Sequence, residues 1–334
     1  MKKLFTILAV AATLVSCAKE DVVREAEGEA IQFGNAFVEN STRADAATDP
    51  SYSTTTGKGV TLESFNVYGA VNGVNIFNGN AVTKGDDVDY GEAWTLTGAK
   101  QYWINGADYK FVGVVDGNKT GVTAITPDEA GLPSTISYTV DGATDLLCDV
   151  VTVEDATAPY DIVAFDYTHL LSKVKFSVKN TTDSAATNYR FVLTSAKLTN
   201  VYQDGVYNVN NDAWTPGTTM REYILENLTI NSGATQYHSQ EVLLIPGSQK
   251  VGVYVNANIE ASDDNGATWK VVSSVEKPFT DVVELEKAKA YNFIVELGVG
   301  SEIKFTATTM PEWGNGNTAD SDDDDDVNDY VPLQ

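Results

Sequence analysis

Beyond residue 28 the apolar residues fall in short alternating runs, not in helical stripes. Val174, Phe176 and Val178 alternate with Lys173, Lys175, Ser177 and Lys179, the period of a strand with one buried face. Tyr291, Phe293, Val295 and Leu297 repeat the pattern, with Ile294 breaking the polar side. Runs rich in Val, Ile, Tyr, Phe and Thr extend over Ser64 to Val71, Tyr109 to Val115, Thr135 to Val140, Lys173 to Lys179, Tyr189 to Leu198, Glu241 to Ile245, Val251 to Ile259, Ala290 to Leu297 and Glu302 to Thr308. No amphipathic helix stands out; Glu284 to Ala288 fits a helical turn and a strand equally. Asn72-Gly73, Asn78-Gly79, Asn105-Gly106, Asp116-Gly117, Asp141-Gly142, Asp204-Gly205 and Asn265-Gly266 supply residues that tolerate positive φ, as hairpins require. The pattern predicts an all-β chain of antiparallel strands, a meander or Greek key. A dense loop region, Asp149 to Pro159, separates two strand-rich halves and places a boundary near residue 155.

The two ends differ from this body. Met1-Lys2-Lys3 is basic, and Leu4 to Leu14 is apolar apart from two threonines, too short for a resident membrane helix. Residues 1–16 read as a signal peptide. Leu14-Val15-Ser16-Cys17 has the form of a lipobox, which makes Cys17 a lipidation site and the membrane a partner of the precursor. Ala18-Lys19-Glu20-Asp21 resembles the export signal of surface lipoproteins in Bacteroidota. In the segment from Ala30 to Val38, the residues Ile31, Phe33 and Phe37 alternate as one face of a strand. At the other end Asp322 to Asp326 form a self-repelling run, followed by a short mixed segment, Val327 to Gln334.

Composition narrows the functions. The 334 residues carry 22 basic and 47 acidic side chains, a net charge of -25, so a phosphate backbone is repelled and nucleic acid is excluded as a partner. With 43% hydrophobic residues a sizeable core is expected. Arginine stands only at positions 24, 43, 190 and 221, histidine only at 169 and 238, and cysteine only at 17 and 148. That inventory is thin for catalysis or for a metal site, and no cofactor is indicated. With Cys17 lipidated, Cys148 has no partner for a disulfide; it lies in the apolar run from Leu146 to Val151 and reads as a core residue.

Other candidate chemistry weakens on inspection. Ser262-Asp263-Asp264-Asn265-Gly266-Ala267-Thr268-Trp269 fits the Asp-box pattern of sialidase-like propellers, but it occurs once and four arginines do not furnish the usual carboxylate-binding triad. A structural hairpin is expected there, with Asp264 accepting backbone N–H bonds, Gly266 at positive φ and Trp269 packed on the turn. Counted from Asp322, an EF-type loop would need glycine at Val327 and glutamate at Leu333, so it fails. No pair among the 47 acids is singled out for glycoside hydrolysis. Tyr102, Trp103, Trp214 and Trp313 are aromatic candidates for a sugar platform and equally for packing.

Several segments taken in order resemble a known family. They are Phe65 to Ala70, Tyr102-Trp103-Ile104 with Tyr109 to Val114, Asp145-Leu146-Leu147, Phe165 to Val178, Leu285 to Phe293, Ile303-Lys304-Phe305 and Trp313. The strongest is the stretch from Phe165 to Val178, although Phe165 lies four residues before His169 where two is usual, with Tyr167 in the nearer place. Behind a lipobox this series is similar to the fimbrillins of Bacteroidota, subunits of lipoprotein-derived type V pili. The resemblance implies two tandem transthyretin-like antiparallel β-sandwich domains, here residues 44–155 and 156–319, and a packed role for His169. It implies an outer-membrane lipoprotein precursor matured by an arginine-specific protease, for which Arg43 and Ala44 flank the fitting bond in a polar loop. Residues 17–43 would then be a tether bearing a removable strand with Ile31, Phe33 and Phe37. A strand from another fimbrial subunit would replace it, drawn from the C-terminal end: Val327 to Gln334 in the acidic tail 320–334, slightly preferred, or the strand near Glu302 to Met310. A surface lipoprotein that binds glycan without polymerising is the alternative, and a cell-surface hydrolase a weaker one.

Overall fold

The computed structural model describes residues 28–38, 62, 64–85, 92–116, 121–182, 188–225, 228–231, 237–299, 303–310 and 331–332. No helix occurs among them. The first half contributes β1 (Phe33–Val38), β2 (Ser64–Val71), β3 (Val74–Thr83), β4 (Thr95–Leu96), β5 (Tyr109–Asp116), β6 (Val122–Pro127), β7 (Pro133–Thr139) and β8 (Leu146–Val153). The chain continues with β9 (Val163–His169), β10 (Ser172–Asn180), β11 (Tyr189–Tyr202), β12 (Asp204–Asn208), β13 (Ala213–Pro216), β14 (Met220–Leu225) and β15 (Leu228–Asn231). It closes with β16 (Tyr237–Leu244), β17 (Gly247–Ala261), β18 (Lys270–Leu285), β19 (Ala290–Leu297), β20 (Lys304–Met310) and β21 (Val331–Pro332). The all-β expectation is met, and the strand over Glu284–Leu285 ends in a turn where Ala288 takes a φ of 57°.

Seven strands form one sheet in the order β1-β9-β8-β5-β2-β3-β4. Both of its faces are buried, and neighbouring residues of β5 show how. Tyr109 and Phe111 enter one core with Phe65, Val67 and Phe77. Val112 and Val114 point the opposite way, into a core with Ala70 and Cys148. That second core is covered by a four-stranded sheet, β13-β12-β7-β6, through Ile136, Tyr138 and Tyr207. The remaining strands make a sandwich of β16-β10-β19-β20-β21 and β14-β11-β17-β18, with β15 beside β11. Its core holds Phe176, Phe191, Leu198, Val253, Tyr291 and Phe293. Two pairings run parallel, β1 with β9 and β10 with β19; the others are antiparallel.

The two halves are tied together. β12 pairs with β7 from Asp204↔Thr139 to Asn208↔Thr135. Leu170 and Leu171, in the link from β9 to β10, are fully buried in the core that this ladder covers. Trp214 Nε1 donates to the Leu170 carbonyl at 2.6 Å, and Arg221 to the Val140 carbonyl at 2.9 Å.

Asn72-Gly73, with φ of 46° and 76°, turns β2 into β3 as expected. Two other dipeptides read as turns do different work. Gly79 lies inside β3, where the register to β2 slips between Val67 and Tyr68, so it marks a bulge. Asp204-Gly205 opens β12; a Cβ at Gly205 would stand 3.1 Å from the Trp214 ring and 3.2 Å from Ile245, so close packing explains the glycine.

Candidate functional site

The segment before Arg43 is built into the fold. β1 lies in parallel register with β9, Phe33 beside Val163 and Gly34 beside Ala164. Val163 N–H donates to the Gln32 carbonyl at 2.9 Å. On its other side the same segment bonds the far end of the sheet. Trp94 N–H donates to the Phe33 carbonyl at 2.7 Å, Ile31 N–H to the Gln101 carbonyl at 2.8 Å, and Trp103 N–H to the Glu29 carbonyl at 2.9 Å. Farther along, Leu62 N–H donates to the Ala36 carbonyl at 3.1 Å. Residues 29–38 therefore lie between β9 on one side and the stretch from Trp94 to Trp103, which starts beside β4, on the other.

The side chains complete a core. Phe33 is 1% exposed and sits in an aromatic cage, its ring centroid 5.4 Å from Phe77, 5.5 Å from Phe111 and 6.4 Å from Phe165. Ile31 is 4% exposed. Past Gly34 the register shifts, and the buried positions become Ala36 and Val38. The Phe37 side chain lies outside the described residues, as do Cys17, Arg43, Ala44 and Trp313. Burying Ile31, Phe33 and Val38 stabilises by roughly 1.5–3 kcal/mol each, about 5–9 kcal/mol together. A whole domain is stable by only about 5–15 kcal/mol, so an empty seat would leave this core open to water.

The other candidates are structural. Asp264 Oδ1 accepts from the Thr268 N–H at 2.8 Å and Oδ2 from the Thr268 hydroxyl at 2.6 Å; Ser262 donates to Oδ1 at 2.7 Å. These bonds hold its carboxyl down at about 2. Asn265 and Gly266 take φ of 58° and 88°, and Trp269 Nε1 donates to the Gly266 carbonyl at 3.1 Å under the Arg190 guanidinium. This is a hairpin cap joining β17 to β18. His169 Nδ1 pairs with Asp145 and fastens the end of β9 to the strand before it. Cys148 is buried, and burial, reinforced by Asp149, pushes its thiol up to about 12. Trp103 is stacked on Tyr160 at 5.2 Å and Trp214 is bonded to Leu170, so of the sugar-platform aromatics described only Tyr102 is exposed, at 37%. Among the described residues no cluster of three His, Cys, Asp or Glu side chains could hold a metal ion. A cleft of about 300 Å³ lined by Trp103, Tyr160 and Val163 adjoins the seat, its walls bonded to Glu29 and Gln32.

Sequence reasoning found Ile31 and Phe33 but not the partners that seat them. Nothing in the alternation of Ala30 to Val38 names β9, which follows far along the chain, or the stretch from Trp94 to Trp103.

The model of the fimbrillin-like family matches residues 42–313, so its match begins just past β1. Among solved structures the chain is similar to a fimbrial protein from Bacteroides vulgatus, with 14% identity, a TM-score of 0.56, and coverage of 84% of this chain and 98% of that one. It is also similar to a putative cell adhesion protein from Bacteroides uniformis, with 15% identity, a TM-score of 0.47, and coverage of 74% and 90%. At such identities the likeness to the first speaks for the fold alone. No curated protein matches the chain.

Proposed function

We propose a function from one premise: this chain belongs to the fimbrillin-like family. It is a structural protein, not an enzyme, and its family places it among fimbrial and adhesion proteins of the cell surface. The finer reading is that it is exported as a lipoprotein through Cys17 and held at the outer membrane as a precursor. An arginine-specific protease then cuts between Arg43 and Ala44. β1 leaves, and a C-terminal strand of a neighbouring subunit takes its seat, building a fimbria that serves adhesion by β-strand addition.

The observation that carries this reading is the seating of residues 29–38, all upstream of Arg43, between β9 and the stretch from Trp94 to Trp103. A strand that is bonded along both edges and fills an aromatic cage keeps the precursor closed. Once removed, it leaves unpaired edges and apolar rings that a second strand can cover. At the C-terminal end, among the described residues, β21 pairs with β20 at Pro332 and Val331, opposite Thr308 and Thr309.

Substitution of Arg43 tests the reading. The Arg43→Ala chain is expected to accumulate as a monomeric lipoprotein, whereas the wild type forms ladders on gels run without boiling. Ladders from Arg43→Ala at the wild-type level would overturn cleavage-gated assembly.

A further inference from the structure

The seat of β1 is selective at two consecutive positions. At residue 33 the three rings of Phe77, Phe111 and Phe165 surround an aromatic side chain. At residue 34 there is no room for a side chain. A Cβ on Gly34 would stand 2.6 Å from the Glu92 carbonyl oxygen, 3.2 Å from Ile162 and 3.3 Å from the Trp94 ring. The first of these is backbone, which cannot swing aside as a flexible side chain can. No positive φ is involved, so the glycine is required by space and not by conformation. The next residue, Asn35, falls in the bulge where β1 loses register with β9. A strand seated in the same register would meet an aromatic cage at the first of these positions and no room for a side chain at the second.

We propose that the groove reads this aromatic–glycine doublet and that its occupant in the fimbria is the segment 311–318 of a second copy, with Trp313-Gly314-Asn315 in the places of Phe33-Gly34-Asn35. The triplet aromatic–Gly–Asn occurs twice in the chain, at these two places. The flanks agree with the burial pattern of residues 32–38. Glu312 matches exposed Gln32, Gly316 matches buried Ala36 in the bulge, and Thr318 matches buried Val38. The other C-terminal aromatics fail at the second position. Phe305 is followed by Thr306 and Tyr330 by Val331, and each would drive a branched Cβ into the Glu92 carbonyl. Phe305 also packs in its own sandwich, 5.7 Å from Phe293 and 5.8 Å from Phe279. Trp313 follows the end of β20, at Met310, by three residues. One position fits poorly: Pro311 would replace Ile31, whose N–H donates to Gln101, and proline has no N–H to give.

This proposal rests on the strand-exchange reading, and capping by peptides separates the two. Synthetic peptides are added to wild-type precursor as it is cleaved at Arg43, and ladder growth is measured. The peptide of residues 29–38 is expected to cap growth. Its Gly34→Ala form should need roughly tenfold more or higher concentration, the penalty for overpacking a tight site. The 311–318 peptide should cap, its Pro311→Ile form at lower concentration, and the 327–334 peptide should not. In the whole chain, Trp313→Ala and Gly314→Ala should stop growth, while Trp313→Phe permits it; an unchanged melting temperature of each uncleaved precursor shows that the variant has folded. If the 29–38 peptide has no effect, strand exchange itself is wrong. If that peptide caps but its Gly34→Ala form caps equally well, the groove does not select glycine. If it caps but the 311–318 peptide does not, or Gly314→Ala polymerises like wild type, strand exchange stands and this donor is wrong.

Discussion

The core of the C-terminal sandwich and the core around β1 are built from the same kinds of residue, yet they close differently. The sandwich core draws on β10 to β20, and Phe176, Phe191 and Phe293 meet there within one continuous stretch of chain. The core around β1 has its own strands in β2 to β9, but the residues that seal it, Ile31, Phe33, Ala36 and Val38, precede Arg43. The first core draws no residue from upstream of Arg43. The other depends on a segment that a single cut would detach. The difference separates a scaffold from a socket: the scaffold core is complete within its own strands, and under the proposed cleavage the socket would make assembly conditional on the cut.

Truncating one aromatic residue in each region gives the largest contrast. In the precursor, Phe33→Ala and Phe293→Ala are each expected to cost about 3–5 kcal/mol, the usual range for a buried phenylalanine. If β1 is cut away as proposed, Phe33 is absent from the fimbria, and its substitution should have no effect on the melting of the fimbria. Phe293→Ala should lower that melting as much as before. Denaturant titration of precursor and fimbria side by side checks both.

A smaller effect is expected inside the socket wall. A Cβ on Gly113 would stand 2.1 Å from the Tyr167 hydroxyl and 3.0 Å from the Phe165 ring. Gly113→Ala should destabilise by about 1–3 kcal/mol in precursor and fimbria alike, because β5 and β9 remain in both. Thermal unfolding of the two states measures it.

The smallest effect belongs to the hairpin cap at the edge of the scaffold. Asp264 is ionised down to about 2 by the bonds from Thr268 and Ser262, below the ordinary carboxylate value of 3.8. A depressed carboxyl contributes stability that is present above its unfolded value and is lost as pH falls through the folded one. Trp269 fluorescence should therefore stay constant from neutral pH to about 4 and change between about 4 and 2. Asp264→Asn should abolish that step without altering polymerisation.

Much of the fold was legible in the sequence. Clean alternation with one buried face set β19 at Ala290–Leu297, and the apolar run with a flanking Asn-Gly turn set β2 at Ser64–Val71. β18 was missed because an edge strand with Lys277-Pro278 and exposed Val271, Val272 and Val282 shows no alternation toward a core. β3 was missed for its Asn-rich run and the bulge at Gly79. The candidate site was half legible. Ile31 and Phe33 announced a strand, but the bulge that makes Ala36 and Val38 its next buried positions depends on packing against β9. The requirement for Gly34 depends on the Glu92 carbonyl, which local sequence does not place.

A cross-link between β1 and β9 tests the central claim most directly. Phe37 and Asp166 are register partners, and strands neighbouring in a sheet bring Cα atoms within disulfide range. The Phe37→Cys/Asp166→Cys precursor, oxidised and then cut at Arg43, is expected to remain monomeric with β1 still attached. Adding reductant should release the strand and start ladder growth at the wild-type rate. Polymers forming from the oxidised, cleaved protein before any reductant is added would show that β1 need not leave its seat, and would contradict the account.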